Sequence, residues 1–167
     1  MKNKSQSRLT LALAIVYGLL VVWIILFKMS PIPEIPYLDH IRHINLIPFH
    51  YDTEVDSHAQ EVIENLLIFI PLGLYLKMLR AGNRMAILIC AGFSLLLECL
   101  QYVIGIGATD ITDLITNTAG AAIGVGVYCL LSRLFKDNAK LNKVLNVILL
   151  VCTVFFIGGA VLLLLSN

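Results

Sequence analysis

Long apolar segments alternate with short polar or basic connections along the whole chain. Each apolar segment is close to the roughly 20 residues that a membrane-spanning helix needs. The five segments cover residues 9–27, 62–79, 85–104, 111–131 and 144–165. We therefore predict an all-α polytopic membrane bundle of five transmembrane helices, with a four-helix core domain over residues 9–131 and an additional C-terminal helix.

The basic residues between these segments predict the orientation of the chain. Lys and Arg concentrate in the cytoplasmic connections of membrane proteins. Ten of the twelve basic residues lie before the first segment, around the turn between the second and third, or between the fourth and fifth: Lys2, Lys4, Arg8, Lys77, Arg80, Arg84, Arg133, Lys136, Lys140 and Lys143. We predict a cytoplasmic N-terminus (residues 1–8), an external loop (28–61), a cytoplasmic linker (132–143) and an external C-terminus.

Composition agrees with a membrane protein and excludes other classes. Hydrophobic residues make up 59% of the chain and charged residues 14%, which is typical of an integral membrane protein and not of a soluble domain. A net charge of +1 gives no indication of a nucleic-acid partner. The four cysteines lie in apolar segments without a C-x-x-C pair, so we interpret them as small core side chains.

Polar residues interrupt three of the apolar segments near the ends that the predicted orientation places outside. A carboxylate at the centre of an apolar helix costs about 2.5–3.5 kcal/mol by insertion scales, and less near the interface. A chain that tolerates several of them at one depth is therefore predicted to form a site there. The candidate residues are Glu64 and Asn65 in the second segment, Glu98 and Gln101 in the third, and Asp110, Asp113 and Asn117 at the start of the fourth.

Simpler roles are also open to these side chains. The three amides could serve only as interhelical hydrogen bonds. Asp110, or else Asp113, could be the N-cap of the fourth helix, with capping as its whole role. Two acids repel each other unless they share a proton, a cation or a bridging water, so we expect Glu98 and Asp113 to lie close enough to do so.

Two glycines below the polar residues predict a close helix contact. Gly120 and Gly124 are four residues apart in the fourth segment, and therefore lie on one face of the helix. Small residues at this spacing allow the backbones of two membrane helices to approach each other. We expect a neighbouring helix to pack directly against this face.

The external loop carries two further candidates for ligand binding, Arg42 and Asn45. Asn45–Phe49 is too apolar for a freely solvated loop, so we expect this segment to fold back onto the helix ends. Arg42 could pair with a lipid phosphate, or it could be an ordinary surface cation.

The sequence supports a metal site less well than it supports a lipid-binding site. Four histidines lie in the loop, but no H-E-x-x-H motif is present, and we interpret them as solvated side chains: His40, His43, His50 and His58. Mg²⁺ or Ca²⁺ held by Asp110, Asp113 and Glu98 is an alternative. We expect no cofactor.

Four ordered motifs resemble those of the VanZ-like family of bacterial membrane proteins. They are Asn45-Leu-Ile-Pro-Phe49, Asn65-Leu-Leu-Ile-Phe-Ile-Pro-Leu-Gly73, Glu98-Cys-Leu-Gln101 and Asp110-Ile-Thr-Asp-Leu-Ile-Thr-Asn-Thr-Ala-Gly120. The resemblance implies a multi-pass protein of the bacterial cytoplasmic membrane, and the founding member of the family is associated with resistance to teicoplanin. Many members carry an arginine shortly before the Asp-x-x-Asp element, whereas Gly105–Thr109 of this chain contains no basic residue.

Resemblance and polar residues together leave two function classes open. In the first, an outward-facing polar pocket binds a lipid headgroup, a lipid-linked cell-wall precursor or a lipoglycopeptide, and so contributes to glycopeptide resistance. In the alternative, the protein is a membrane enzyme that hydrolyses or transfers at the phosphoester of a lipid headgroup. Asp113 would then be the base or nucleophile and Glu98 its proton partner. The sequence names neither the ligand nor the oligomeric state.

Overall fold

Five helices dominate a computed structural model, which describes residues 2–27, 41–49, 55–135 and 137–166. Each helix is long and apolar enough to cross a membrane, which confirms the predicted number of spanning segments. The elements are α1 Lys2–Phe27, β1 Ile41–Asn45, α2 Val55–Met78, α3 Asn83–Ile104, β2 Ile106–Asp110, α4 Ile111–Leu134 and α5 Asn138–Ser166.

The closest packing in the bundle is between α2 and α4. A methyl group added to Gly120 would collide with the carbonyl oxygen of Leu66, and one added to Gly124 with that of Ile70. From the other side, Gly73 of α2 packs directly against the backbone of α4. The predicted glycine contact is therefore confirmed, and α2 is the helix that makes it.

One apolar cluster joins α1 and α3 to this pair. Its buried members include Val21 of α1, Phe69 of α2, Leu97 of α3 and Ala121 of α4. Large apolar side chains on the outer faces of all five helices remain exposed, as expected for surfaces that contact lipid. These contacts hold α1 to α4 together beside the polar residues.

The cysteines divide into two groups. Cys90 is buried in the cluster between α1 and α3, as a small core side chain should be. Cys99 and Cys152 are exposed, so the core interpretation is wrong for these two. None of the four forms a disulfide.

The first half of α5 packs against the rest of the bundle. Leu141, Leu145 and Leu149, at four-residue steps, are buried in a second apolar cluster. Gln6 of α1 donates a hydrogen bond to the carbonyl of Ala139 (2.8 Å). The beginning of α1 therefore lies beside the beginning of α5, which brings the basic N-terminus next to the basic connection between α4 and α5.

A short parallel pair of strands departs from the all-α prediction. β1 pairs with β2 in a register that sets Arg42 opposite Gly107 and Asn45 opposite Asp110. The chain leaves α3 through Gly105, whose φ of 75° is the left-handed conformation that favours glycine. β2 then leads directly into α4, so the pair holds part of the loop against the ends of α3 and α4.

Candidate functional site

Polar side chains of four elements form one connected group at the end of the bundle where α3 leads into α4. We call this group the polar layer. On α3, three of its members lie at i, i+4 and i+7 and are all buried: Ser94, Glu98 and Gln101. The other members are Asn45 of β1, Asn65 of α2, and Asp110, Asp113 and Asn117 at the start of α4.

Glu98 lies at the centre of the polar layer and is only 2% exposed. Its Oε2 accepts a hydrogen bond from the backbone N–H of Asp110 at 3.1 Å. The hydroxyl of Thr109 donates to the backbone carbonyl of Glu98 at 3.1 Å. Two bonds therefore fix this glutamate to the chain that enters α4.

Asp110 has two structural roles. It is the N-cap of α4, because its Oδ1 accepts a hydrogen bond from the backbone N–H of Thr112 at 2.7 Å. Its Oδ2 accepts from Nδ2 of Asn45 at 3.0 Å. Asp110 therefore caps α4, but capping is not its whole role, because the same carboxylate also bonds to Asn45 of β1.

The loop after β1 folds back onto the start of α4, as predicted. The backbone N–H of Phe49 donates to the hydroxyl of Thr112 at 3.0 Å. The side-chain oxygen of Asn45 accepts from the N–H of Ile47 at 3.1 Å, which holds the turn. This segment therefore covers one side of the polar layer.

Amides connect α2, α3 and α4 within the layer. Asn65 donates to Oδ1 of Asp113 at 2.7 Å, and Asn117 donates to the hydroxyl of Ser94 at 2.9 Å. Asp113 is half-buried, whereas Asn117 is 1% exposed. The interhelical role suggested for the amides is therefore present, and it accounts for only part of their hydrogen-bonding capacity.

Three buried oxygens in the polar layer have no hydrogen-bond partner in the described part of the chain. They are Oε1 of Glu98, Oε1 of Gln101 and Oδ1 of Asn117. Gln101 uses its Nε2 to donate to the carbonyl of Ile25 at 3.0 Å, which leaves its oxygen as the unpaired group. An unsatisfied buried polar group costs about 1–3 kcal/mol. The two amide oxygens are acceptors, and Oε1 of Glu98 is an acceptor when the carboxylate is ionised, so a molecule that donates hydrogen bonds would satisfy them.

The charges of the layer are all of one sign. Asp113 and Asp110 both lie close enough to Glu98 to interact with it electrostatically. The structure therefore brings together Glu98, Asp110 and Asp113, three of the four acids that the sequence placed at one depth. Like charges in one buried site favour protons, cations or hydrogen-bond donors as neighbours. Among the described residues, no group of three or more His, Cys, Asp or Glu is arranged to hold a metal ion.

The structure places Glu64 apart from the layer and does not describe the side chain of Arg42. Glu64 lines a separate cavity between α1, α2 and α5, and its Oε1 accepts a hydrogen bond from Gln60 at 2.6 Å. Glu64 therefore lines a different cavity from the group that contains Asn65. Arg42 belongs to β1, and its side chain lies outside the described residues, as do His40 and His50.

Two residues of the site were not predicted. Ser94 accepts from Asn117 and lies one turn before Glu98, so the i, i+4, i+7 spacing on α3 was the signal that could have identified it. Thr112 anchors the folded-back loop through its hydroxyl. Its position two residues after the capping aspartate gave no such signal.

Comparisons with known proteins agree with the motifs. A sequence profile of the VanZ/LLP1 family matches residues 14–135. The chain is also similar to Protein VanZ of Enterococcus faecium, with 36% identity over 145 residues, which cover 86% of this chain and 85% of that protein. No solved structure matches the chain.

Proposed function

Because this chain belongs to the VanZ/LLP1 family, we propose that it binds a donor-rich headgroup of the bacterial cell envelope in its polar layer. The ligand class is a lipid headgroup, a lipid-linked cell-wall precursor or a lipoglycopeptide. Through this binding, the protein contributes to resistance against teicoplanin. The protein lies in the cytoplasmic membrane, because its five helices can span a membrane and such ligands are found there.

The observation that carries this proposal is the set of three unpaired buried acceptors. Oε1 of Glu98, Oε1 of Gln101 and Oδ1 of Asn117 need N–H or O–H donors. Sugar hydroxyls, amides and amines supply such donors, whereas a phosphate at neutral pH supplies mainly acceptors. Among the members of the layer, the charged groups are carboxylates, which repel a phosphate. The sugar and peptide part of a cell-wall precursor is therefore the part of the ligand that fits the layer.

The proposal requires the polar layer to face outward. Orientation with the N-terminus inside and the C-terminus outside is supported by the ten basic residues on one side of the predicted helices. The hydrogen bond between Gln6 and Ala139 supports the same grouping, because it brings two of the basic regions together.

Reporter fusions test this orientation. A fusion after Asn138 should report the cytoplasm, and a fusion after Asn167 should report the exterior. The physical reason is that basic connections are retained on the cytoplasmic side. The reverse pattern would place the polar layer at the inner face and would exclude an outer-leaflet or extracellular ligand.

Binding to the purified full chain tests the ligand class. In detergent, native mass spectrometry compares an undecaprenyl-linked disaccharide–pentapeptide with undecaprenyl phosphate, which has the same chain but no sugar. We expect the sugar-bearing lipid to bind about five- to 150-fold more tightly, since two new hydrogen bonds of about 0.5–1.5 kcal/mol each contribute about 1–3 kcal/mol. Asn117→Leu, which removes one acceptor, should reduce the ratio, whereas Cys99→Ala on the exposed face of α3 should not.

Equal binding of the two lipids would contradict the proposal. The same samples also test the enzymatic alternative, in which Asp113 and Glu98 act on a phosphoester. Release of the headgroup during incubation, lost in Asp113→Asn, would favour the enzyme. Tight binding without release favours a binding protein.

A further inference from the structure

A second cavity of about 350 Å³ lies between α1, α2 and α5. None of the polar-layer residues lines it, so it is a separate site. Its volume falls at the lower end of the roughly 300–1,000 Å³ that is common for small-molecule pockets. Apolar side chains form most of its wall, and Glu64 is the one carboxylate among the described lining residues.

The cavity exists because only the first half of α5 packs tightly. The buried positions of α5 continue to Thr153, which is 7% exposed, but Phe156 is already 40% exposed and Phe155 is 77% exposed. Among the side chains of α5 that the structure describes after Thr153, none is buried. On the opposite wall, Tyr17 donates a hydrogen bond to the carbonyl of Ile68 at 2.9 Å, which fixes α1 to α2 beside the cavity.

The lining residues define a slot along the helix axes. They extend from Tyr17 to at least Ile24 on α1, and from Leu149 to Phe156 on α5. On α2 they extend from Pro71 back to Glu64, because this helix runs in the opposite direction. Seven residues of helix correspond to about 10 Å. A slot of this length occupies about a third of a hydrocarbon core roughly 30 Å thick.

The two ends of the slot differ in charge. Glu64 lies at the end formed by Ile24 and Phe156, and it is exposed. The other end, formed by Tyr17, Pro71 and Leu149, lies deeper in the bundle. An apolar slot aligned with the helices matches the direction of a lipid chain, and a carboxylate at its end complements a positively charged headgroup.

We propose that this slot binds one phospholipid with an amine-bearing headgroup. One acyl chain fills the apolar slot, and the ammonium group pairs with the carboxylate of Glu64. The site does not depend on the proposed function of the polar layer, because the two share no residue. The buried side chains described in α5 end at Thr153, so the lipid would cover part of the helix surface that follows.

Native mass spectrometry of the full chain tests this proposal with phosphatidylethanolamine and phosphatidylglycerol that carry identical acyl chains. We expect one phosphatidylethanolamine to bind about three- to fivefold more tightly than phosphatidylglycerol, as a partly exposed ion pair allows. Glu64→Gln should abolish this preference. Cys152→Trp, which fills the slot from an exposed position, should weaken binding of both lipids at least tenfold, whereas the matched Cys99→Trp on α3 should leave it within twofold.

The unmodified chain provides a second measurement that does not depend on the folding of a variant. Phosphatidylethanolamine should slow alkylation of Cys152 by a maleimide and leave alkylation of the equally exposed Cys99 unchanged. Equal protection of the two thiols would overturn the proposal. So would binding of phosphatidylglycerol or undecaprenyl phosphate as tight as that of phosphatidylethanolamine.

Discussion

Gly120→Ala is expected to remove most of the folded protein from the membrane. The new methyl group would collide with the carbonyl oxygen of Leu66, which belongs to the α2 backbone and cannot rotate away. Overpacking costs about 1–3 kcal/mol even where side chains can adjust, so a backbone collision should cost at least the upper part of that range. Membrane abundance and thermal stability in detergent measure the effect.

Gly126→Ala is the matched control on the same helix. A methyl group at Gly126 meets nothing within 4 Å. Alanine is also more favourable than glycine in a helix interior, by about 0.8–1 kcal/mol. We therefore expect this variant to be as abundant as the wild type or more so. If both variants had the same abundance, the close contact between α2 and α4 would be wrong.

The spanning helices were predictable because hydrophobic segments of about 20 residues have few other uses. The residues at which the helices begin and end were harder to predict. α2 begins at Val55, although the apolar segment begins only at residue 62, because polar residues can continue a helix outside the membrane. Hydropathy detects the part of a helix in contact with lipid and does not detect such an extension.

The parallel strand pair could not be predicted from a pattern. β1 and β2 have five residues each and are separated by α2 and α3. Strands this short show no reliable alternation of apolar and polar residues. β2 also contains Gly107, and glycine is unfavourable inside a strand. Tertiary contacts hold the two strands in place. They are the side-chain hydrogen bond from Asn45 to Asp110 and the turn at Gly105.

The membership of the polar layer was predicted better than its contacts. Helical spacing placed Glu98 and Gln101 on one face of α3, and the structure agrees. Helical spacing also grouped Glu64 with Asn65. However, the side chains of consecutive residues point about 100° apart on a helix of 3.6 residues per turn. Asn65 bonds to Asp113, which turns Glu64 towards the slot. Sequence spacing does not show which of two adjacent faces meets the neighbouring helix.

Asp113→Asn should separate function from folding. Asparagine has nearly the same size, and its oxygen can still accept the hydrogen bond from Asn65. Asp113 is only half-buried, so abundance should stay close to that of the wild type. Asp113 lies close enough to Glu98 to interact with it electrostatically, so we expect a ligand in the polar layer to donate a hydrogen bond to its carboxylate as well as to the unpaired acceptors. Ligand binding should then fall about ten- to a hundredfold, since a hydrogen bond to a charged group contributes about 1.5–3 kcal/mol.

The most direct test of the polar layer as a ligand site is teicoplanin susceptibility of a sensitive host at matched membrane abundance. Expression of the wild-type chain and of the Cys99→Ala control should raise the minimum inhibitory concentration. Asp113→Asn should return it to the value of the empty vector. Full protection by Asp113→Asn, or no protection by the wild type, would contradict the account.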